Sequence, residues 1–293
     1  MRVTLTGAGG LIGSRLLAML RARGDEVTVL SRSGGGGAVR WDPLAEIAPA
    51  EALEGRDAVV HLAGEPIAQR WTPAVREAIR TSRTEGTANL VAALAGLTQR
   101  PRVLVSANAV GYYGDRGAER LTEDSPAGAD WLAQVCVAWQ NAALGARASG
   151  LRVCVLRTGV VLDSAGGALA KMLPPFRLGV GGPVAGGRQY VSWIALDDLV
   201  GLYLAAIDDD RFDGPFNATA PAPVTNAELS RALGRALHRP AVLPVPAAAL
   251  KLLYGDMAEI VTDSQNAVPA RALELGHRFE HTGLAEALQA ALR

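Results

Sequence analysis

The stretch TGAGGLIGSRLLAMLRARG, residues 6–24, decides the fold. Gly7, Gly10 and Gly13 recur every three residues after the β-branched and aliphatic run 3–5, and Gly24 closes a segment whose Leu16, Leu17 and Leu20 share one helical face. A strand, a glycine turn and a helix in that order form a dinucleotide-binding signature. Gly7 is expected to allow the tight turn out of the strand, and Gly10 to let the backbone approach a pyrophosphate. Gly13 is expected to let the helix pack against the sheet. Free N–H groups at the helix start, at the positive end of its dipole, then hold the phosphates. The alternative is a glycine-rich turn with no ligand; the rest of the unit argues against it.

Working outward, the second strand is expected over 26–30, with Arg32 just beyond it, 19 residues after Gly13. Sites for NAD place Asp or Glu here to bond the ribose 2′-hydroxyl. An arginine suits a 2′-phosphate, so the cofactor expected is NADP; a solvated surface arginine is the alternative. Four glycines, 34–37, read as a mobile loop at the adenosine end. A third strand is expected over 57–62, and Ala63, Gly64 and Glu65 end it at the carboxyl edge, where ligands of doubly wound sheets bind.

Thr72 and Pro73 read as an N-cap and N1 proline opening a helix to Arg83, with another helix over 85–97. Strand four follows at 102–106, then SANAVGYYGD, a helix over 129–148 and a fifth strand over 151–156. This alternation predicts an α/β fold, a doubly wound parallel (Rossmann) sheet with helices on both faces. Residues 159–193, rich in glycine and proline, read as a long irregular substrate loop. A helix over 195–207, a sixth strand over 215–219 and a capping box at Thr225 and Glu228 follow. Amphipathic segments over 247–253 and 284–292 close the chain. The expected division is a Rossmann domain of 1–158 and 195–220, with a smaller substrate and C-terminal lobe of 159–194 and 221–293.

Composition narrows the partners. The 293 residues are 49% hydrophobic, and 29 basic residues balance 29 acidic ones. With no basic run, neither nucleic acid nor an anionic membrane is expected as partner, and a small-molecule substrate is. Cys136 and Cys154 read as buried thiols of a reducing cytoplasm. The first strand begins at once, so no signal peptide is expected. His277 and His281 are four apart with no third ligand suggested, so no metal is expected. Asn217-Ala218-Thr219 spells a glycosylation sequon inside an expected core strand.

TGAGGLIG, HLAG, SANAVGYYG, LRTGVVL and WIALDDL resemble the extended short-chain dehydrogenase/reductases, among them the nucleoside-diphosphate-sugar epimerases. AGEPIAQRW, TSRTEGT, the whole run from LRTGVVL to WIALDDL and the NAELSRALGRALHRPAVLPVP tail are similar to one atypical branch, the epimerase family proteins, with a C-terminal domain of unassigned role. The likeness covers almost the whole chain. Similar sequences carry the label cell-division inhibitor, which would imply a protein partner in cell division. The resemblance implies NADP held by Gly7, Gly10, Leu11, Ile12 and Gly13, with Ser31 and Arg32 at the 2′-phosphate. It implies Leu62, Ala63 and Gly64 along the ribose and nicotinamide side, and Arg83 and Val161 lining the cofactor.

The chemistry departs from that pattern. The superfamily pairs a tyrosine with a lysine four residues on, the lysine lowering the phenol pKa for proton transfer. The two lysines here, Lys171 and Lys251, are preceded at that spacing by Gly167 and Ala247. Alignment of the helix before Trp139 puts Leu132 and Cys136 at the two positions, and Asn108 stands at the usual serine. Asn108 can hydrogen-bond a carbonyl but cannot lend a proton near neutrality. One substitute is Tyr112, with Arg116 four residues on to depress its pKa; the alternative is that Tyr112 and Tyr113 pack over the nicotinamide pocket. Glu65 is the other ionisable candidate, and could equally cap a turn or pair with Arg70. Arg177, Arg188 and Gln189 could grip an anionic substrate or simply lie at the surface. Asp197 and Asp198 read as helix N-terminal charge. The function expected is an NADP-dependent oxidoreductase or sugar-nucleotide-epimerase-like protein. The rival is a non-redox NADP-binding regulator.

Overall fold

The structure, a computed structural model, describes residues 1–293 except for the side chain of Leu253. β1 (Arg2–Thr6) runs into the glycine turn and then α1 (Leu11–Ala22). β2 (Glu26–Ser31) returns parallel to β1, pairing Arg2 with Glu26 and Thr6 with Leu30. The glycine loop then gives way to β3 (Val39–Arg40), a two-residue edge strand the sequence pattern did not reveal, paired parallel to β2. β4 (Ala58–His61), buried throughout, takes the other side of β1.

α2 (Pro73–Ala95) is one helix, not the two expected on either side of Thr84. Across the expected break, Thr81, Ser82 and Thr84 donate their hydroxyls to the carbonyls of Glu77, Ile79 and Arg80 within the helix. Gly86 sits in the same helix because Pro43 approaches it: a Cβ there would lie 3.3 Å from Pro43 Cβ. The N-cap is as expected, Thr72 accepting from the Val75 N–H. β5 (Val103–Ala109) and β6 (Arg120–Leu121) precede α3 (Trp131–Leu144), which Asp130 caps two residues later than the sequence suggested. β7 (Arg152–Thr158) then pairs with β5.

Residues 159–193 are less irregular than expected. They hold β8 (Val160–Leu162), α4 (Gly167–Arg177) and β9 (Tyr190–Val191). Pro174 and Pro175 fall inside α4, which disguised the helix. β10 (Trp193–Ala195) leads into α5 (Leu196–Asp208) and β11 (Gly214–Ala218). β12 (Val224–Thr225) and α6 (Asn226–Ala236), with its capping box, follow. The tail holds α7 (Ala247–Tyr254), α8 (Glu259–Thr262), β13 (Asn266–Ala267), α9 (Ala270–Glu274) and α10 (Leu284–Ala291).

Seven parallel strands form the main sheet in the order β11-β7-β5-β4-β1-β2-β3. Alternation along each strand sends side chains to opposite faces. Val3, Leu5, Val60, Val105 and Phe216 meet α1 and α5 through Leu16, Leu20, Leu199 and Tyr203. Leu30, Val59, Leu104 and Val155 meet α2 and α3 through Leu90, Leu94 and Ala143. A third cluster joins Leu162, Leu173, Phe176 and Trp193 to Leu233 and Leu288, gathering β8, α4, β10, α6 and α10. No described helix is long and apolar enough to cross a membrane.

Candidate cofactor site and its surroundings

The glycine turn is shaped by backbone contacts. Gly7 has φ +72°, and a Cβ on it would lie 2.7 Å from the Leu62 carbonyl carbon. Gly13 is required by the turn more than by the sheet: a Cβ there would stand 2.2 Å from Gly7 O and 2.9 Å from Ala8 Cα. Gly10 differs. With φ −82° it is the N-cap of α1, no side chain caps that helix, and the only atom near a Cβ would be Gly7 O at 3.5 Å. The first turn of α1 therefore offers N–H groups above an open face, where an anion is favoured. Leu11 packs under Gly166 and Gly167, each within 3.4 Å of it for an added Cβ, so the β8–α4 turn carrying Val161 borders the same cleft.

The second wall is the end of β4. Thr6 Oγ1 accepts from the N–H groups of Leu62 and Ala63, both at 3.1 Å. With both lone pairs used, its proton goes to His61 Nδ1 at 2.8 Å, which leaves His61 Nε2–H to donate to Thr87 Oγ1 at 3.2 Å. Full burial pushes His61 down to about 4, so this imidazole is neutral near pH 7 and is a fixture of the strand end. Arg83 lies beneath the next residues, donating to Glu65 O at 3.0 Å, and its guanidinium would be 3.5 Å from a Cβ on Gly64. That guanidinium also faces the Trp139 ring at 5.1 Å. At the adenosine end Ser31 Oγ accepts from Gly34 N–H at 3.1 Å, and Arg32 is exposed. Gly7, Gly13, Leu62, Ala63, Gly64 and Arg83 are thus brought together along the carboxyl edge.

The positions of the usual acid–base pair are filled by packing. Leu132 and Cys136 face Gly111, where a Cβ would lie 2.8 Å from Leu132 Cδ2 and 3.8 Å from Cys136 Sγ. Burial pushes the Cys136 thiol up to about 12, so it stays protonated. Asn108 is buried, its Nδ2 donating to Cys136 O at 3.0 Å and its Oδ1 accepting from Ala109 N–H.

Arg116 does not serve Tyr112. It forks onto Glu119 at 2.7 and 2.9 Å and donates to Pro126 O. The guanidinium over the Tyr112 ring, 3.5 Å from its centroid, belongs to Arg157. Sequence reasoning missed Arg157; the available signal was a charge directly after the apolar run VCVL, residues 153–156. Arg157 is 2% exposed, and its direct partners are neutral acceptors: Gln140 Oε1 at 2.9 and 3.1 Å, Tyr113 Oη at 2.9 Å and Glu123 O at 3.1 Å. Burial raises the Tyr113 phenol, and its hydroxyl is 2.7 Å from Asn217 Oδ1, so Tyr113 is a structural bridge. Asn217 itself is fully buried.

Glu65 is half-buried, with Oε1 accepting from Gln69 Nε2 at 3.1 Å and its N–H bonded to Ser82 Oγ. Arg70 reaches instead to Leu252 O at 3.0 Å. Lys171 to Ala68 O, and Arg76 to Asp256 at 3.0 Å, likewise tie the segment after Glu65 to α4 and the C-terminal region. Gln189 is buried against Val184 O and Val261 O and is not available to an anion, whereas Arg177 and Arg188 are exposed. Asp197 pairs with Arg15 at 2.7 Å, and Asp198 accepts from the N–H groups of Glu280 and His281, so this acidic pair does more than favour a helix start. His277 stacks edge-on against Phe279 and Phe212, and no group of three metal-ligating side chains occurs among the described residues. A cavity of about 480 Å³ beside Tyr113 is lined by Asp115, Asp130, Glu259 and Asp263.

The sheet order, the glycine turn and the loops along the carboxyl edge define a nucleotide-binding protein of the Rossmann type. Comparison with known proteins makes this narrower. The chain belongs to the NAD dependent epimerase/dehydratase family, whose model matches residues 3–218, and a Domain of unknown function (DUF1731) matches residues 245–291. It is 42% identical over 310 residues to the epimerase family protein SDR39U1 homolog, chloroplastic, of Arabidopsis thaliana, covering 100% of this chain and 87% of that protein. It is also 42% identical over 290 residues to the epimerase family protein Mb2239 of Mycobacterium bovis, covering 98% and 96%. The crystal structure of human epimerase family protein SDR39U1 (isoform 2) with NADPH superposes with a TM-score of 0.92 at 36% identity, covering 100% of both chains.

Proposed function

We propose that this chain binds NADP(H) along the carboxyl edge of its sheet. It uses the cofactor as an oxidoreductase or sugar-nucleotide-epimerase-like protein on a small-molecule substrate, without a Tyr-x-x-x-Lys pair. The observation that carries the reading is the uncapped start of α1 over the open Gly10 face, with Gly7 and Gly13 held to glycine by backbone contacts. The NADPH in the similar human structure supports the choice of cofactor. When bound, the nicotinamide would supply or accept a hydride.

Gly10, Leu11, Ile12 and Gly13 would hold the pyrophosphate, and Ser31 and Arg32 the 2′-phosphate. Leu62, Ala63 and Gly64 would border the ribose and nicotinamide, with Arg83 and Val161 lining the cofactor. Of the three candidate side chains for chemistry, Glu65 and Tyr112 could move a proton. Asn108 would act by fixing α3 against β5, since both ends of its amide are engaged. Residues 159–194 and 221–293 would supply the substrate side. Two buried unpaired thiols fit a reducing compartment such as the cytoplasm.

Titration of NADPH and NADH against tryptophan fluorescence tests the cofactor. Arg32→Ala should weaken NADPH at least tenfold more than NADH, and an equal loss of both would overturn that assignment. NADPH oxidation across a panel of carbonyl compounds tests the chemistry. Glu65→Gln or Tyr112→Phe should lower turnover about a hundredfold; no change in either would remove both as proton donors.

A second reading is favoured by one observation: Leu132 and Cys136 leave no group titrating near neutral pH where the acid–base pair would stand. In that reading the chain is a non-redox NADP-binding regulator. The family label would make its partner a cell-division protein. Tight NADPH binding with no oxidation of any compound would favour it. Failure of a purified tubulin-like cell-division GTPase to bind the chain in a pull-down, with or without NADPH, would remove the cell-division version.

A further inference from the structure

The adenosine end of the cleft holds a second cation that the glycine signature does not announce. We propose that Arg40 is a specificity-determining residue that binds the 2′-phosphate together with Arg32, so that a pair of arginines selects NADP over NAD; the inference rests on the NADP(H) reading above.

The β2–β3 register sets Ser31 opposite Arg40, so the two side chains leave the same face of the sheet on adjacent strands. Trp41 N–H donates to Ser31 O at 2.9 Å and fixes this strand end. The turn carrying Arg32 then folds back over Arg40. Gly34, with φ +64° and its N–H on Ser31 Oγ at 3.1 Å, comes so close that a Cβ on it would lie 3.0 Å from Arg40 Cβ. The stem of Arg40 is thus walled by the Ser31–Gly34 turn, beside the serine assigned to the 2′-phosphate.

Arg32 and Arg40 are both exposed, and neither forms an ion pair or side-chain hydrogen bond among the described residues. Arg32 follows the end of β2 and Arg40 lies on β3 against the Ser31–Gly34 turn, and no carboxylate pairs with either among the described residues. A dianionic phosphate on the ribose 2′-oxygen would accept charge-assisted hydrogen bonds from both. A neutral 2′-hydroxyl would not draw on the pair in that way. In doubly wound sheets the ribose hydroxyls reach the end of the second strand, which is where this turn stands.

The test titrates NADPH and NADH, by tryptophan fluorescence and by calorimetry, against the wild-type chain, Arg40→Ala, Arg40→Lys, Arg32→Ala and the double variant. Arg40→Ala should raise the NADPH Kd about tenfold and leave the NADH Kd unchanged. Arg40→Lys should fall between, and the double variant should bind the two cofactors alike. Because Arg40 is exposed at an edge strand, unchanged thermal unfolding of the variants checks that the turn is intact. Selective loss of NADPH in Arg32→Ala but no selective loss in Arg40→Ala would overturn the inference while leaving the cofactor reading in place. Failure of the wild-type chain to bind NADPH would overturn the cofactor reading and this inference with it.

Discussion

Two alanine substitutions in the glycine turn should separate folding from cofactor binding. At Gly13 an added methyl would sit 2.2 Å from Gly7 O, 2.8 Å from Gly7 C and 2.9 Å from Ala8 Cα, all backbone atoms that no rotamer change can move. Either α1 shifts away from the turn or the turn opens. Overpacking of this kind costs about 1–3 kcal/mol or more, and the helix preference of alanine over glycine returns about 1 kcal/mol. Contacts this short with backbone put the cost at the top of that range, so Gly13→Ala should lose about 2 kcal/mol net, a fall of a few °C in Tm. Gly10→Ala meets only Gly7 O at 3.5 Å, in a backbone conformation open to alanine. Its loss as an N-cap and its gain from a stiffer unfolded chain are each about 0.5 kcal/mol and nearly cancel. Its methyl, however, enters the face where phosphate oxygens would meet the N–H groups of α1. Differential scanning calorimetry and NADPH titration should show Gly10→Ala as stable as the wild type but at least tenfold weaker in NADPH affinity. Gly13→Ala should lose both. Undiminished NADPH affinity in Gly10→Ala would refute the placement of the pyrophosphate, and an unchanged Tm in Gly13→Ala would refute the rigidity assigned to the turn.

Thr6→Val should cost about 2–4 kcal/mol in urea unfolding, because it strands the N–H groups of Leu62 and Ala63 together with His61 Nδ1; Thr6→Ser should retain most of the stability, and equal losses would show that the hydroxyl is not the cause. His61, held near 4 by burial, binds its proton more readily when unfolded, so its contribution is full above about pH 6.5 and is lost as the pH falls toward 4. His61→Gln should flatten that part of the stability profile, and an unchanged slope would assign it elsewhere. Asp263 behaves in the opposite sense: burial first, then Asp115, Asp130 and Glu259, raise it to about 6, so its ionisation costs stability as the pH rises from about 4 to 6. It is only half-buried, and solvent screening reduces the cost to about 1 kcal/mol. Asp263→Asn should therefore gain that amount at pH 8 and nothing below pH 4, and no gain at pH 8 would count against the carboxylate cluster. Arg157→Met should destabilise the chain by about 2–4 kcal/mol, and Arg157→Lys should not restore it, since an ammonium cannot fork onto Gln140 while stacking on Tyr112; recovery in the lysine variant would show that charge alone matters.

The sequence by itself determined the elements whose cause is local. The spacing of Gly7, Gly10 and Gly13 before a helical leucine face sets a strand, a turn and a helix through backbone freedom and periodicity. The caps at Thr72 and Thr225 act within four residues, and so were legible. Strand–helix alternation fixed a parallel sheet because adjacent parallel strands need a crossover. Where local cues competed with packing, they misled. Two helices were expected where α2 is continuous and an irregular Gly- and Pro-rich loop where α4 stands, yet each helix has a buried face to hold it. Only the tertiary structure decided which arginine stands over Tyr112, because Arg116 and Arg157 differ in distance through space and not in any pattern along the chain. The same is true of Arg40, brought beside Ser31 by a two-residue strand too short to have a period, and of the leucine and thiol packed against Gly111. Side-chain neighbours across a sheet are set by register and by the reach of distant segments, and neither is written in residue order.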